Sequence, residues 1–374
     1  VTAILRVMLD QVASPTDADL AVAARDLTRA LIAVAPDGCA VEGIAPSGGA
    51  GDPSAIPGLV DVRRTTLARR ELATALQMGV ATGIGGGMIH APTLMAPLVR
   101  HDRVHDHDQT VVTVWDLRPW EAPAELPKPV VTWHRAMLKR AAKHADAVVV
   151  PTHAIGERLS GLARLGGRVR VIAGAPAIDL AVPRDEVGRR RSLGLPEGFV
   201  LLAGGPMPSD ALAVGFRAVA ASGIDIPIVV IDVAEGLEPA VAELAVAAGI
   251  PERRVHVRGV LDTHDRGAVF GAALALLAPS RRSAFPWRVV DALALGVPVV
   301  ASDSAVHADV VVDGGMLVDS ADADRLAEGM GSALAEALAT TKAAERWAVL
   351  AGDRGRVFSW HSAAERVWQL HADL

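Results

Sequence analysis

Short apolar, β-branched runs alternate with longer helical patterns along almost this whole chain. That alternation restricts it to buried parallel sheets with helical crossovers. The runs lie at 3–9, 39–44, 60–65, 87–92, 110–116, 146–151, 168–173, 199–204, 226–233, 254–260, 274–279, 297–302 and 315–319. Helical patterns fall between most of them, as at 17–33, 131–144, 238–248 and 321–336. About thirteen strands are too many for one open sheet. The polar stretch "APAIDLAVPRDEVGRRRSLGLPEG" (175–198) shows no strand pattern and separates two halves. The expectation is an α/β protein of two doubly wound, Rossmann-like domains facing a cleft. The N-terminal domain spans 1–175, a linker 176–198 and the C-terminal domain 199–355. The tail, 356–374, is a last helix with Phe358, Trp360, Val367, Trp368 and Leu370 as apolar anchors. Ligands of such sheets sit beyond the carboxyl ends of the strands, which makes the cleft the expected site.

Composition narrows the function. The 374 residues suit two domains, and at 51% hydrophobic content each can bury a core. A net charge of −6 argues against nucleic-acid binding driven by phosphate neutralisation. The single cysteine, Cys39, excludes an intrachain disulfide and fits a reducing compartment. No apolar run reaches the ~18 residues of a membrane span. The first residues lack the basic start of a signal peptide and read as a first strand. A cytoplasmic location is expected.

The densest chemistry lies at 280–291, "SRRSAFPWRVVD". A strand ends at Pro279 and a helix begins near Trp287, so the loop between them faces a helix N-terminus. Amides around 282–285 beside that positive dipole end, with Arg281 and Arg282 adding charge, suit an anion such as a diphosphate. Asp291, about one turn into the helix, can accept two hydrogen bonds from a vicinal diol such as ribose. The plain alternative is a βα loop with solvated arginines.

The stretch 254–303 resembles the nucleotide-sugar half of the retaining glycosyltransferases of family 4, which have the GT-B fold. So do "ADAVVVPTHAIGERL", "TVVTVWDLRPW", "FVLLAGG" and the tail "FSWHSAAERVW", in matching order. The resemblance implies a nucleotide-diphospho-sugar donor on the C-terminal domain, an acceptor on the N-terminal domain, and a final helix crossing back to the N-terminal domain. It implies no cofactor and no metal; the nucleotide sugar is a co-substrate. Carried over by position, Asp291 partners the donor ribose. Ser283 stands where a Glu contacts the sugar hydroxyls. Ala284, Phe285 and Pro286 replace a Gly-Phe-Gly, and Pro286 lacks an N–H. Gly204 and Gly205 join the donor site. Asp116 and Ser283 are the candidate catalytic residues, and Trp115 and His90 face the acceptor.

Two departures weaken the likeness. The Arg and Lys that grip the donor diphosphate are replaced by Ser209 and Asp210. An acid beside two phosphates opposes their binding. Trp115 stands where the first domain often carries His. Arg281 and Arg282 are the expected replacement cations, with Arg217 and Arg258 as weaker candidates.

Other pieces read more plainly. "HDRVHDHD" (101–108) has metal-ligand letters without a rigid element to hold them. "GIGGG" (83–87) precedes a strand, so it is a turn rather than a dinucleotide fingerprint; it could bring backbone near the acceptor. Arg135, Lys139 and Lys143 share a helix face, and peripheral contact with a membrane is the second expectation for that face beside simple solvation. Trp120 and Trp133 line the acceptor side or the core. The reading is a retaining hexosyltransferase, mannosyltransferase-like, acting on a glycan or lipid-linked acceptor in cell-envelope polysaccharide or glycolipid synthesis. Its rival is an inactive GT-B partner of an active transferase. An epimerase would need carboxylates and a His that cannot be placed.

Overall fold

The computed structural model of the chain describes residues 3–80, 82–319 and 322–374. It divides into two compact units. The first covers the chain through Ala175 together with Ser283–Phe285 and Ser359–Leu374; the second comprises Pro176–Arg282 and Pro286–Phe358.

The first unit carries β1 (Ala3–Met8), β2 (Cys39–Ser47), β3 (Val62–Ala68), β4 (Met88–Ala91), β5 (Gln109–Thr113), β6 (Ala147–Val150) and β7 (Val169–Val171). They form one parallel sheet in the order β3-β2-β1-β4-β5-β6-β7. The second unit carries β8 (Phe199–Ala203), β9 (Ile228–Ile231), β10 (Val255–Val257), β11 (Ala273–Ala278), β12 (Val299–Ser302) and β13 (Met316–Val318). These pair in parallel as β10-β9-β8-β11-β12-β13. Every apolar run in the sequence overlaps one of these strands. The reason is visible in β6 and β9, all of whose residues are buried. A strand covered on both faces must be apolar throughout, and such runs are hard to miss.

Helices cover the sheets where the 3.6-residue pattern places them. Ala18–Ala33 starts on Asp17, whose side chain accepts from the Leu20 amide at 3.0 Å, a cap worth about 1 kcal/mol. Lys128–His144, Glu238–Ala247 and Ala323–Ala337 account for three further patterns. Residue 321, which opens the last expected span, lies outside the described residues. In the second unit Ala323–Ala337 packs closely on Leu212–Ser222 because Gly331 has no side chain. A Cβ there would sit 2.7 Å from the Ala218 carbonyl oxygen.

The tail forms the helix Trp360–Asp373 within the first unit. Trp360, Val367, Trp368 and Leu370 are buried, and the Trp368 indole donates to the Leu31 carbonyl at 3.0 Å. Phe358, expected as a tail anchor, falls before this helix in the second unit, 5.3 Å from the Arg354 guanidinium. The expected linker is also different. Residues 176–198 belong to the second unit and contain the helix Glu186–Ser192. A helix leaves no strand pattern, and its arginines make the stretch polar. Arg189 pairs with Asp265 at 2.8 Å, and Arg190 is buried against Glu186 at 3.3 Å.

Candidate functional site

In the second sheet the strand order reverses between β8 and β11, so the loops after these two strands meet at the switch point where doubly wound sheets bind ligands. After β8 comes Gly204 with φ +120°, a conformation closed to other residues, then Gly205 and a single 3₁₀ turn, Pro208–Asp210. After β11 come Ser280, Arg281 and Arg282. Two contacts join the two loops, and a third braces the first of them. Ser280 Oγ donates to the Ser209 carbonyl at 2.7 Å. Arg282 Nη1 donates to Asp210 Oδ1 at 2.6 Å. Asp210 Oδ2 accepts from the Gly205 amide at 3.0 Å. Arg281 is exposed on the same loop.

A buried polar chain holds this arrangement from below. Ser302 Oγ donates to the Ser280 carbonyl at 2.7 Å, and His307 Nδ1 lies 3.0 Å from the Ser302 carbonyl. A carbonyl only accepts, so Nδ1 carries the proton of a neutral ring. Burial pushes His307 down to about 4, which keeps it neutral at pH 7.

Asp291, expected to partner the ribose, lies in the helix Trp287–Ala294. It is 2% exposed. Arg288 Nη1 reaches its Oδ2 at 2.9 Å and Arg266 Nε at 3.3 Å, while Arg288 Nε also binds Asp232 at 2.6 Å. Its carboxylate therefore anchors two arginines in the second unit. Arg266, Arg288 and Asp232 carried no expectation; the i, i+3 spacing of Arg288 and Asp291 was their only sequence signal.

The amides expected to face an anion are used within the chain. The Arg282 amide donates to Ser280 Oγ at 3.3 Å, and that of Ser283 to Glu121 Oε2 at 3.2 Å. The Phe285 amide donates to the Trp115 carbonyl at 2.9 Å. Residues 283–285 belong to the first unit, where Ala284 bridges Asp116 and both Ala284 and Phe285 are buried. Expected at the donor site, these residues pack and pair inside that unit. Ser283 Oγ donates to Glu121 Oε1 at 2.8 Å, and Arg158 holds the same oxygen at 2.9 Å. Glu121 carried no expectation, because it lies 162 residues from Ser283 along the chain.

Beyond β5 the first unit presents Asp116, which accepts from the Arg118 amide at 2.6 Å and lies 3.4 Å from its guanidinium. Burial lowers the pKa of His134 there; Asp116 opposes this and Arg69 and Arg118 add to it. Trp115, expected to face the acceptor, is 8% exposed, donates to the Pro92 carbonyl at 2.7 Å and lies 5.6 Å from the Phe285 ring. His90 is 1% exposed and stands edge-on to His371 of the tail helix at 5.6 Å. It faces the interior and no acceptor. Trp133 donates to the Ala73 carbonyl at 3.1 Å.

The remaining candidates lie elsewhere. Arg217 pairs with Asp324, and Arg258 binds the Leu193 carbonyl. His101 pairs with Asp146 and His105 with Asp102, both at 2.8 Å. Among the described residues no group of three or more His, Cys, Asp or Glu could hold a metal ion. Gly85, Gly86 and Gly87 and part of the His–Asp loop line a cavity of about 590 Å³ before β4 and β5. That is the amino end of the sheet, opposite the end where such folds bind substrates. No helix among the described residues is long and apolar enough to cross a membrane.

Comparison with known proteins adds the following. Residues 209–336 match the family described as glycosyl transferases group 1. No curated protein matches the chain. Sucrose-phosphate synthase from Thermosynechococcus elongatus is 19% identical, with a TM-score of 0.72 over 99% of this chain and 98% of that one. Anabaena HepE in complex with UDP and glucose is 18% identical, with a TM-score of 0.70 over 100% of both chains. WaaG, a glycosyltransferase involved in lipopolysaccharide biosynthesis, is 16% identical, with a TM-score of 0.65 over 97% and 98%. The chain thus has two parallel-sheet, Rossmann-like domains of the GT-B class.

Proposed function

We propose that the protein is a retaining glycosyltransferase that moves a hexosyl group from a nucleotide-diphospho-sugar to a hydroxyl of a glycan or lipid-linked acceptor. The observation that carries the reading is the convergence of the Gly204–Gly205 turn and the Arg281–Arg282 loop at the switch point of the second sheet. The Arg281–Arg282 loop falls in the stretch matching group 1 glycosyl transferases, and a related fold, Anabaena HepE, binds UDP-glucose. Arg281, Arg282 and the glycine turn would face the diphosphate. Asp116 of the first unit would orient the acceptor beside Arg118. The acceptor oxygen bonds to the anomeric carbon on the face from which the phosphate leaves, and a phosphate oxygen takes the acceptor's proton. That scheme needs no enzyme nucleophile. Lys139 and Lys143, exposed on the helix Lys128–His144, would add peripheral contact with an anionic membrane at the cytoplasmic face. Synthesis of a cell-envelope polysaccharide or glycolipid, as in family 4 of these enzymes, would suit such an acceptor.

A second reading has its own support. Asp210 neutralises Arg282, Asp291 is buried, and Ser283 is bonded to Glu121. Such a site suits an inactive partner of an active transferase. Mass-spectrometric assay of transfer and slow donor hydrolysis, across a panel of nucleotide sugars, separates the two. Turnover of any donor supports the enzyme. No turnover and no donor binding, in a folded sample, leaves the partner.

A further inference from the structure

We propose that Asp210 is a resident anion: its carboxylate fills the seat that a ligand diphosphate would take, so a diphosphate binds only by displacing it. This deepens the reading above, and rests on it for naming a diphosphate as the displaced ligand. The two donors that hold the carboxylate are those that suit a phosphate. One is the Gly205 amide, at 3.0 Å, on a turn that glycine alone can form. The other is Arg282 Nη1, at 2.6 Å, from the facing loop. A phosphate oxygen accepts from the same two groups with the same charge complementarity.

Three further observations point to a seat rather than an ordinary surface ion pair. Asp210 is 9% exposed, so its carboxylate lies within the seat and not over it. Arg282 Nε is buried with no partner among the described residues, so the carboxylate leaves part of the guanidinium unused. A diphosphate brings more acceptor oxygens than one carboxylate and could engage it. Finally, the turn that presents Asp210 ends at Ala211 with φ +57°, a left-handed conformation unfavourable for alanine. The turn is held from outside by Ser280 Oγ on the Ser209 carbonyl. A strained turn of this kind can relax when its carboxylate is displaced. Arg282 is then a binding group already occupied, and the cation missing after β8 is matched by a cation after β11.

The experiment is calorimetric titration of inorganic pyrophosphate into the full chain and into Asp210→Asn, Asp210→Ala and Asp210→Glu, each checked for folding by circular dichroism and thermal melting. Removing the resident charge is expected to tighten pyrophosphate binding about ten- to a hundredfold, the worth of one charge-assisted hydrogen-bonded pair. Asp210→Glu, which keeps the charge, is expected to bind as weakly as the unmodified protein. Adding Arg282→Gln to Asp210→Asn should remove the gain. Unchanged or weaker binding in the folded neutral variants overturns the inference. So does an equal gain in Asp210→Glu, since shape and not charge would then be responsible. If Asp210→Asn unfolds, Asp210→Ala decides alone; if both unfold, Asp210 is a structural anchor and the inference falls. Tight pyrophosphate binding without sugar transfer by any variant leaves the inference standing and removes the transferase reading. Transfer by the unmodified protein, with no gain in Asp210→Asn, does the reverse.

Discussion

Removal of the Asp291 carboxylate should destabilise the second unit before it reveals anything about nucleotide binding. The Asp291 side chain is 3% exposed, that of Arg266 5% and that of Arg288 10%. Asp291→Ala takes away the carboxylate that both guanidiniums engage, and no solvent is at hand to replace it. Breaking a buried pair by deleting one partner costs about 3–5 kcal/mol. With a urea m-value of about 2 kcal/mol/M, the second-unit midpoint should fall by roughly 2 M. Asp291→Asn keeps an acceptor but not the charge, and should lose about 1–3 kcal/mol. Urea unfolding followed by circular dichroism, with calorimetry to separate the two units, measures both. The first-unit transition should not move. A loss below about 1 kcal/mol for Asp291→Ala would refute the reasoning, because the carboxylate would then be solvated and available to a ligand. Any change in nucleotide affinity is better read from Asp291→Asn, where more of the fold is retained.

Acid should weaken both units through histidines buried in neutral form. Burial lowers His90 to about 3, helped by the neighbouring His371, and lowers His371 and His307 to about 4. Their ordinary value is ~6.5, so between pH 6.5 and 4 the unfolded chain binds protons that the native chain refuses. Stability therefore falls as pH falls, by about 1.4 kcal/mol per pH unit for each such histidine. His371→Gln should flatten the first unit's pH dependence between pH 6.5 and 4.5 relative to the parent, as read from urea midpoints; parallel curves would show that His371 is not proton-free in the native state. At the helix crossing of the second unit, Gly331→Ala puts a Cβ 2.7 Å from the Ala218 carbonyl oxygen and 2.9 Å from the Ala221 Cβ. The helices must part, at about 1–3 kcal/mol, despite the better helix propensity of alanine. A thermal midpoint equal to or above the parent's would show that the two helices are not in contact at Gly331.

The number and kind of the strands were legible in the sequence because each is set by local composition. A run such as "IVVI" in β9 is buried on both faces, and nothing but a central parallel strand explains it. Helices were legible as patterns for the same reason, but their starts less so: the pattern expected from 131 begins at Lys128. The switch-point loops were legible as a place, since strand, glycines and arginines follow one another in order. What those loops can do was not. Asp210 and Arg282 are 72 residues apart, and Ser283 and Glu121 are 162 apart. Each pairing turns a group that would bind a ligand into one already bound. His90 and Trp115 looked available from their strand positions, yet the tail helix covers one and Phe285 lies against the other. Sequence fixes which polar groups a chain carries and roughly where along an element they fall. Only the tertiary structure decides which of them are consumed by partners, because a hydrogen bond or an ion pair depends on a separation of about 3 Å in space and is indifferent to separation along the chain.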